Sequence, residues 1–155
     1  MLRGRSSINL DDKGRIAIPT RYREELQDSC KRQLVVTIAV NRYCVPENGC
    51  LWLYPMPEWE KVERIILEKD SFNPMVVNLK RFVIGNAFEC EMDGQGRLLL
   101  PETLRDSALL EKKVVLLGQL NKFEIWNDEI WSENENKWMV SNDTEGLDTL
   151  GPMPF

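Results

Sequence analysis

The nine residues DDKGRIAIP (Asp11–Pro19) recur in related form as DGQGRLLLP (Asp93–Pro101). Seven positions agree in residue type at this one offset, and the last of them are Arg23 and Arg105. Chance rarely produces such agreement in a short chain. The sequence therefore predicts two tandem copies of one folding unit, each carrying the same turn motif.

The turn motif combines three local effects. An aspartate that opens a turn, here Asp11 or Asp93, accepts hydrogen bonds from backbone N–H groups two or more residues on. Gly14 and Gly96 supply a positive φ, which other residues adopt only at a cost. An arginine follows each glycine and begins a short apolar run that ends at proline, which predicts a buried strand.

Each motif therefore holds an arginine beside a tight turn, and two interpretations follow. A single copy favours a structural Asp–Arg pair that closes the turn. Two copies favour a binding surface, since the first copy adds Lys13 and has further arginines nearby in sequence. Those further arginines are Arg3, Arg5 and Arg21.

Similar elements are predicted around each motif. In the first unit a strand over residues 3–10 enters the turn, and a short helix follows Pro19. The apolar runs at 34–38 and 51–54 predict strands, and the turn formers of Asn41–Cys50 predict a loop inserted in this unit only. In the second unit strands are predicted at 88–92, 98–100, 113–117 and 123–126, with helices after Pro101 and after Asn127 or Asp128.

Two helices are predicted between the units. Pro57 begins the first, and Asn73 with Pro74 forms an N-cap and first turn for the second, which ends at Gly85. The resulting division is a first unit at 1–56, a helical connector at 57–85, a second unit at 86–138 and an acidic tail at 139–155. The tail has few apolar residues, which predicts disorder or loose attachment.

The length of 155 residues and the charge distribution limit the possible functions. A unit of half this length buries too little surface to be stable alone, so the two units are expected to share a core. The net charge is −5. Residues 1–32, however, contain eight Lys or Arg against five acids, and residues 128–155 contain seven acids against one lysine. A basic front beside an acidic tail is compatible with DNA binding at the front.

The sequence shows no signal for secretion, a membrane span, a metal site or an enzyme. The first 14 residues have no apolar core of a signal peptide, and no run approaches the length of a membrane span. The four scattered cysteines predict reduced thiols in a cytoplasm, and the absence of histidine disfavours zinc. No nucleophile elbow or phosphate-binding glycine loop is present, so no cofactor and no small-molecule substrate are expected.

The doubled motif, together with the stretch GQLNKFEIW (Gly118–Trp126), closely resembles the MraZ family of bacterial transcriptional regulators over about residues 1–138. The resemblance implies an α+β fold of two tandem AbrB-like swapped-hairpin (β-barrel-like) units with short helices, related by a pseudo-two-fold axis and joined by the helical connector. It also implies a ring-shaped homo-oligomer in the cytoplasm, associated with the nucleoid. Such a ring would bind repeated short double-stranded DNA sites upstream of its own cell-division and cell-wall operon.

The resemblance matches Arg15 to the family's DNA-contacting arginine and Arg97 to its second copy. We expect Lys13, Arg3, Arg5 and Arg21 to assist. Asp11, Gly14, Asp93 and Gly96 are expected to form the turns.

The second copy is expected to bind DNA less strongly than the first. Gln95 replaces the lysine, and Glu102 stands where the first copy has Thr20. Each lost cation removes part of the counterion release that drives DNA binding. A second hypothesis for the whole chain is a structural ring-forming assembly protein without specific DNA binding.

Overall fold

The computed structural model describes all residues, 1–155, as an α+β protein with eight strands and five α-helices. The strands are β1 Leu2–Asn9, β2 Arg15–Ala17, β3 Gln33–Val40, β4 Pro46–Pro55, β5 Phe88–Glu91, β6 Arg97–Leu99, β7 Lys113–Leu120 and β8 Phe123–Asn127. The helices are α1 Thr20–Cys30, α2 Met56–Leu67, α3 Pro74–Asn78, α4 Glu102–Ser107 and α5 Asp128–Met139. A π-helical segment, Leu79–Ile84, continues α3, and Leu147–Thr149 forms a short 3-10 turn. The α+β class predicted from the sequence is confirmed.

Six strands form one sheet in the order β1-β7-β8-β4-β3-β5, and every neighbouring pair is antiparallel. The sheet mixes the two halves of the chain. β1 pairs along its whole length with β7, from Leu2 opposite Leu120 to Asn9 opposite Lys113. At the opposite edge of the sheet, β5 pairs with β3. Neither half therefore has a sheet of its own.

The two remaining strands, β2 and β6, form a separate antiparallel ribbon, which we call the motif ribbon. Ile16 lies opposite Leu98 at its centre. Backbone bonds extend the pairing beyond the strands, because Ile18 N–H donates to Gly96 O and Leu100 N–H donates to Gly14 O. Each copy of the motif thus completes its pairing with the other copy.

The main core lies between the motif ribbon and one face of the six-stranded sheet. Ile16, Ile18, Leu98 and Leu100 have no exposed surface, and they pack in one cluster with side chains from both halves of the chain. Full burial of each such side chain stabilises the fold by roughly 1.5–3 kcal/mol relative to exposure. The shared core predicted from chain length is present, and it holds the motif ribbon against the sheet.

The opposite face of the sheet is covered by helices. α2 and the π-helical segment cover β3 and β4, where Trp59 and Val83 pack with Val35 and Tyr54. The α5 helix covers β7 and β8 through Trp131 and a neighbouring isoleucine. This face is therefore separated from the motif ribbon by the whole thickness of the sheet.

The loop predicted at Asn41–Cys50 is only partly a loop. β4 begins at Pro46, so the first hairpin is longer than the second rather than interrupted. The Asn41 side chain accepts a hydrogen bond from Tyr43 N–H and closes a tight turn, and Cys44 adopts a positive φ of 57°. The sequence correctly predicts a turn in this stretch, but it does not predict that β4 already begins at Pro46.

The predicted connector helices are present. Asn73 caps α3 by accepting from Met75 N–H, and Asn127 caps α5 by accepting from Ile130 N–H. In the tail, every residue from Ser141 onward is exposed, and its only ion pairs join Asp143 and Glu145 to Arg42. The division of the chain into units stays a prediction.

Candidate nucleic-acid interface

The first turn is held by the Asp11 carboxylate. Its Oδ1 accepts from Lys13 N–H at 2.9 Å and from Arg15 N–H at 2.8 Å, while Oδ2 accepts from Arg15 Nε at 2.9 Å. Gly14 adopts a φ of 82°, as the tight turn requires. The Arg15 N–H makes the largest contribution to holding the pKa of Asp11 below its ordinary value, so the carboxylate stays charged.

The second turn repeats this geometry. Asp93 Oδ1 accepts from Gln95 N–H and Arg97 N–H, both at 2.9 Å, and Oδ2 accepts from Arg97 Nε at 3.1 Å. Gly96 has a φ of 76°, and the Arg97 N–H is again the main reason that the pKa of Asp93 is lowered. The two copies differ in side chains, not in how their turns are closed.

The motif ribbon brings the two arginines onto one face. Arg15 lies opposite Leu99, and Arg97 lies opposite Ala17. Side chains alternate between the faces of a strand, and Ile16 fills the buried face. Arg15 and Arg97 therefore point away from the core as diagonal neighbours, roughly 7–8 Å apart.

Both arginines keep hydrogen-bonding capacity for a ligand. Only Nε of each is used by its aspartate, and no protein atom accepts from Nη1 or Nη2. The side chain is 27% exposed for Arg15 and 35% for Arg97, so the free ends reach solvent. A guanidinium fixed in this way can contact phosphate oxygens or the O6 and N7 acceptors of guanine.

Arg23 and Arg105 lie beside the two turns, and the sequence analysis did not select them. The Arg105 guanidinium lies against Gly14 of the other copy, where a Cβ atom would approach its Cζ to 2.6 Å. The Arg23 side chain lies against Gly96 in the same way. Arg23 Nε donates to Ile18 O at 2.8 Å, and Arg105 Nε donates to Leu100 O at 3.0 Å. These two arginines occupy equivalent positions in the two copies of the repeat, and that equivalence is the sequence signal that could have identified them.

The other predicted cations are dispersed. Lys13 is exposed at the first turn, and its side chain has no acidic partner. Arg21 donates to Ser6 Oγ on β1 at 2.7 Å and to the hydroxyl of Tyr22, its neighbour on α1, at 2.8 Å. It thereby lies on the core side of that strand.

Side chains along β1 alternate between its two faces, so Arg3 and Arg5 point to the face opposite the one that carries Ser6. Arg5 pairs with Glu135 at 2.9 Å and lies over the Trp131 ring at 5.8 Å from its centroid. The structure brings Arg15 and Arg97 together on the motif ribbon, and it places Lys13 in the turn that precedes β2. It does not bring Arg3 and Arg5 to that ribbon, because neighbours along the chain enter different sheets.

The four cysteines are free. No helix combines the length and apolar character that a bilayer crossing requires.

Comparison with known proteins finds a matching family model and several similar proteins. A family model described as "MraZ protein, putative antitoxin-like" matches the chain twice, over residues 1–82 and 83–149. A protein of Methylococcus capsulatus named "Transcriptional regulator MraZ" is 50% identical over 152 residues, which is 98% of this chain and 95% of the relative.

Two further relatives carry the same name. That of Thioalkalivibrio sulfidiphilus is 46% identical over 92% of this chain and 91% of its own. That of Haemophilus influenzae is 50% identical over 84% of this chain and 83% of its own. The names describe regulators rather than enzymes, which agrees with the prediction that the chain is not an enzyme.

Proposed function

This chain belongs to the MraZ family, and from that premise we propose that it is a transcriptional regulator that binds specific double-stranded DNA sequences through the motif ribbon. The observation that carries the proposal is the pair Arg15 and Arg97, held by their aspartates on one exposed face with their Nη atoms free. A two-stranded ribbon fits the major groove, which is about 12 Å wide. Lys13, Arg23 and Arg105 would add positive charge for the phosphates.

The same geometry supports the AbrB-like swapped-hairpin arrangement. β2 of the first copy pairs with β6 of the second, and each copy places an arginine on the glycine turn of the other. We propose that the two units are related by a pseudo-two-fold axis. A two-fold ribbon presents equivalent arginines in opposite orientations, which suits short sites with internal symmetry.

We further propose that the protein acts as a ring-shaped homo-oligomer in the cytoplasm, on the nucleoid. One ribbon with a few cations binds weakly at physiological salt, whereas several ribbons on one ring raise the effective concentration of each later contact. The proposed targets are repeated short sites upstream of the protein's own cell-division and cell-wall operon.

The test begins with selection of bound DNA from random sequence, using the purified protein. The proposal expects enrichment of tandem short repeats. Binding to the enriched DNA is then measured for Arg15→Ala and for Arg64→Ala, a control that removes the same charge from exposed α2 on the far face of the sheet.

Arg15→Ala should lose specific binding, and Arg64→Ala should retain it. A cation that contacts phosphate also contributes about one unit to the slope of log K against log salt. Equal losses in both variants would contradict the role of the ribbon.

The alternative is a ring-forming assembly protein without specific DNA binding. It is favoured by apolar side chains left on the connector, where Leu67 is 78% and Phe72 is 92% exposed. The strands β1 and β5 also leave two open sheet edges. Light scattering measures assembly, and retention of the selected DNA at moderate salt distinguishes the alternatives. An oligomer that enriches no sequence supports the assembly protein.

A further inference from the structure

A cleft of about 420 Å³ opens on the sheet face opposite the motif ribbon. It lies between α5 and the hairpin of β3 and β4, and Trp126, Trp131 and Trp138 form one wall. Glu47 on β4 and Glu124 on β8 line the cleft beside these rings. The proposed DNA contacts use none of these residues.

The three indole rings form an aromatic cluster that packing explains only in part. Each pair of rings meets at a steep angle, with centroids 5.7–5.8 Å apart. Trp126 is 2% exposed and belongs to the packing of α5 on the sheet. Trp138 is 50% exposed, so much of this large ring faces solvent at the cleft. An exposed indole face attracts organic cations, tryptophan most strongly among the aromatic residues.

Glu124 is fixed in place with part of its carboxylate unused. Its Oε1 accepts from Gln119 Nε2 at 3.0 Å and from Trp126 Nε1 at 3.1 Å. No protein group donates to Oε2. The carboxylate is thus oriented by two bonds on one oxygen and can accept further bonds on the other.

Glu47 has no protein partner at all. No hydrogen bond or ion pair engages this half-buried side chain. Burial raises the pKa of Glu47 above its ordinary value, and the nearby Glu124 charge adds to the rise. Three cations lie on this face of the sheet. Arg5 pairs with Glu135 and lies over the Trp131 ring, Lys122 lies over the rings of β4, and Arg3 lies opposite Gln119 in the sheet. None of them forms an ion pair with Glu47 or Glu124. A bound cation would relieve the repulsion between the two carboxylates.

We propose that this cleft binds a small organic cation, an alkylammonium or guanidinium compound, with its charge between Glu47 and Glu124 and its apolar surface against the tryptophans. Aromatic walls beside carboxylates match such a ligand. Hard metal ions instead require a shell of oxygen ligands, which indole rings do not supply. The site is independent of the proposed DNA-binding function. A ligand bound here would lie on the face of the sheet opposite the proposed DNA contacts.

The test uses three probes and the indole N–H signals of the full-length protein in two-dimensional NMR. Choline carries an ammonium group, ethylguanidinium carries a guanidinium group, and 3,3-dimethylbutan-1-ol is the neutral counterpart of choline. Both cations should shift the signals of Trp126, Trp131 and Trp138 with saturation, leaving that of buried Trp59 unchanged. The neutral alcohol should not.

Two variants that each remove one negative charge distinguish binding in the cleft from general electrostatic attraction of a cation to an acidic protein. Glu47→Gln keeps the shape, breaks no bond and should weaken cation binding about fivefold, the size of one modest cation contact. Glu133→Gln, on an exposed position of α5 outside the cleft, should leave binding unchanged.

The proposal would be overturned by equal shifts with the neutral alcohol, by equal weakening in both variants, or by no saturation at millimolar cation. A change in oligomer size on Glu47→Gln without binding of any probe would also overturn it. That result would assign the cleft to a basic side chain of a second copy of the chain.

Discussion

Substitution of Gly96 by alanine tests the contact between the two copies of the motif. Gly96 has a φ of 76°, and an added Cβ would lie 2.1 Å from Arg23 Nε and 2.4 Å from its Cζ. Gly94 in the same turn is the matched control, because a Cβ there meets no heavy atom within 4 Å and its φ is not positive.

The cost of Gly96→Ala has two parts. Left-handed backbone costs a residue with a Cβ about 1–2 kcal/mol. Arg23 must also withdraw and lose its bond to Ile18 O at 2.8 Å, which is worth about 1–1.5 kcal/mol for a half-buried group. The free energy of unfolding should fall by about 2–3.5 kcal/mol. Gly94→Ala should be neutral or stabilise by up to about 1 kcal/mol.

Chemical denaturation at one protomer concentration measures both variants, with the m-value checked for constancy. Adding Arg23→Ala to Gly96→Ala should cost almost nothing further, because the bond to Ile18 is already lost. The single Arg23→Ala should cost about 1–1.5 kcal/mol. If Gly96→Ala is as mild as Gly94→Ala, or if the double variant is additive, the two copies do not interlock as described.

Further predictions concern DNA binding, the tail and acid stability. Arg15→Ala should weaken binding to one DNA at one salt concentration more than Arg97→Ala does, because the second turn lacks the first turn's lysine; a larger loss for Arg97→Ala with normal assembly would refute this asymmetry. Deletion of Ser141–Phe155 should leave the thermal unfolding midpoint and oligomer size unchanged, since the residues are exposed and their ion pairs lie at the surface; dissociation of the oligomer would show that the tail docks on a neighbour. Asp11 and Asp93 have folded-state pKa values below 3.8, so the stability they provide is complete above that pH and is lost as pH falls through the folded values. Asp11→Asn should therefore flatten the pH dependence of the denaturation midpoint at the acid end, and an unchanged dependence would contradict that assignment.

Much of the local structure was predictable from residue order. The aspartate, glycine and arginine of each motif interact within five consecutive residues, so their spacing alone indicated the turn and the Asp–Arg pairing. The connector helices were recognisable for the same reason, since Asn73 and Pro74 act on their own first turn. The repeat also indicated a shared core, because half of this chain buries too little surface by itself.

Only the tertiary structure decided which residues share a surface. Arg3 and Arg5 are close to Arg15 in sequence but lie on the far face of another sheet, whereas Arg97 becomes its diagonal neighbour. No local pattern contains this information, because strand pairing joins residues that are distant along the chain and the two-residue alternation of each strand then assigns their faces. The contact of Arg23 with the Gly96 turn, and the cleft beside the tryptophans, arise in the same way: local sequence determined each element, and long-range packing decided what each element faces.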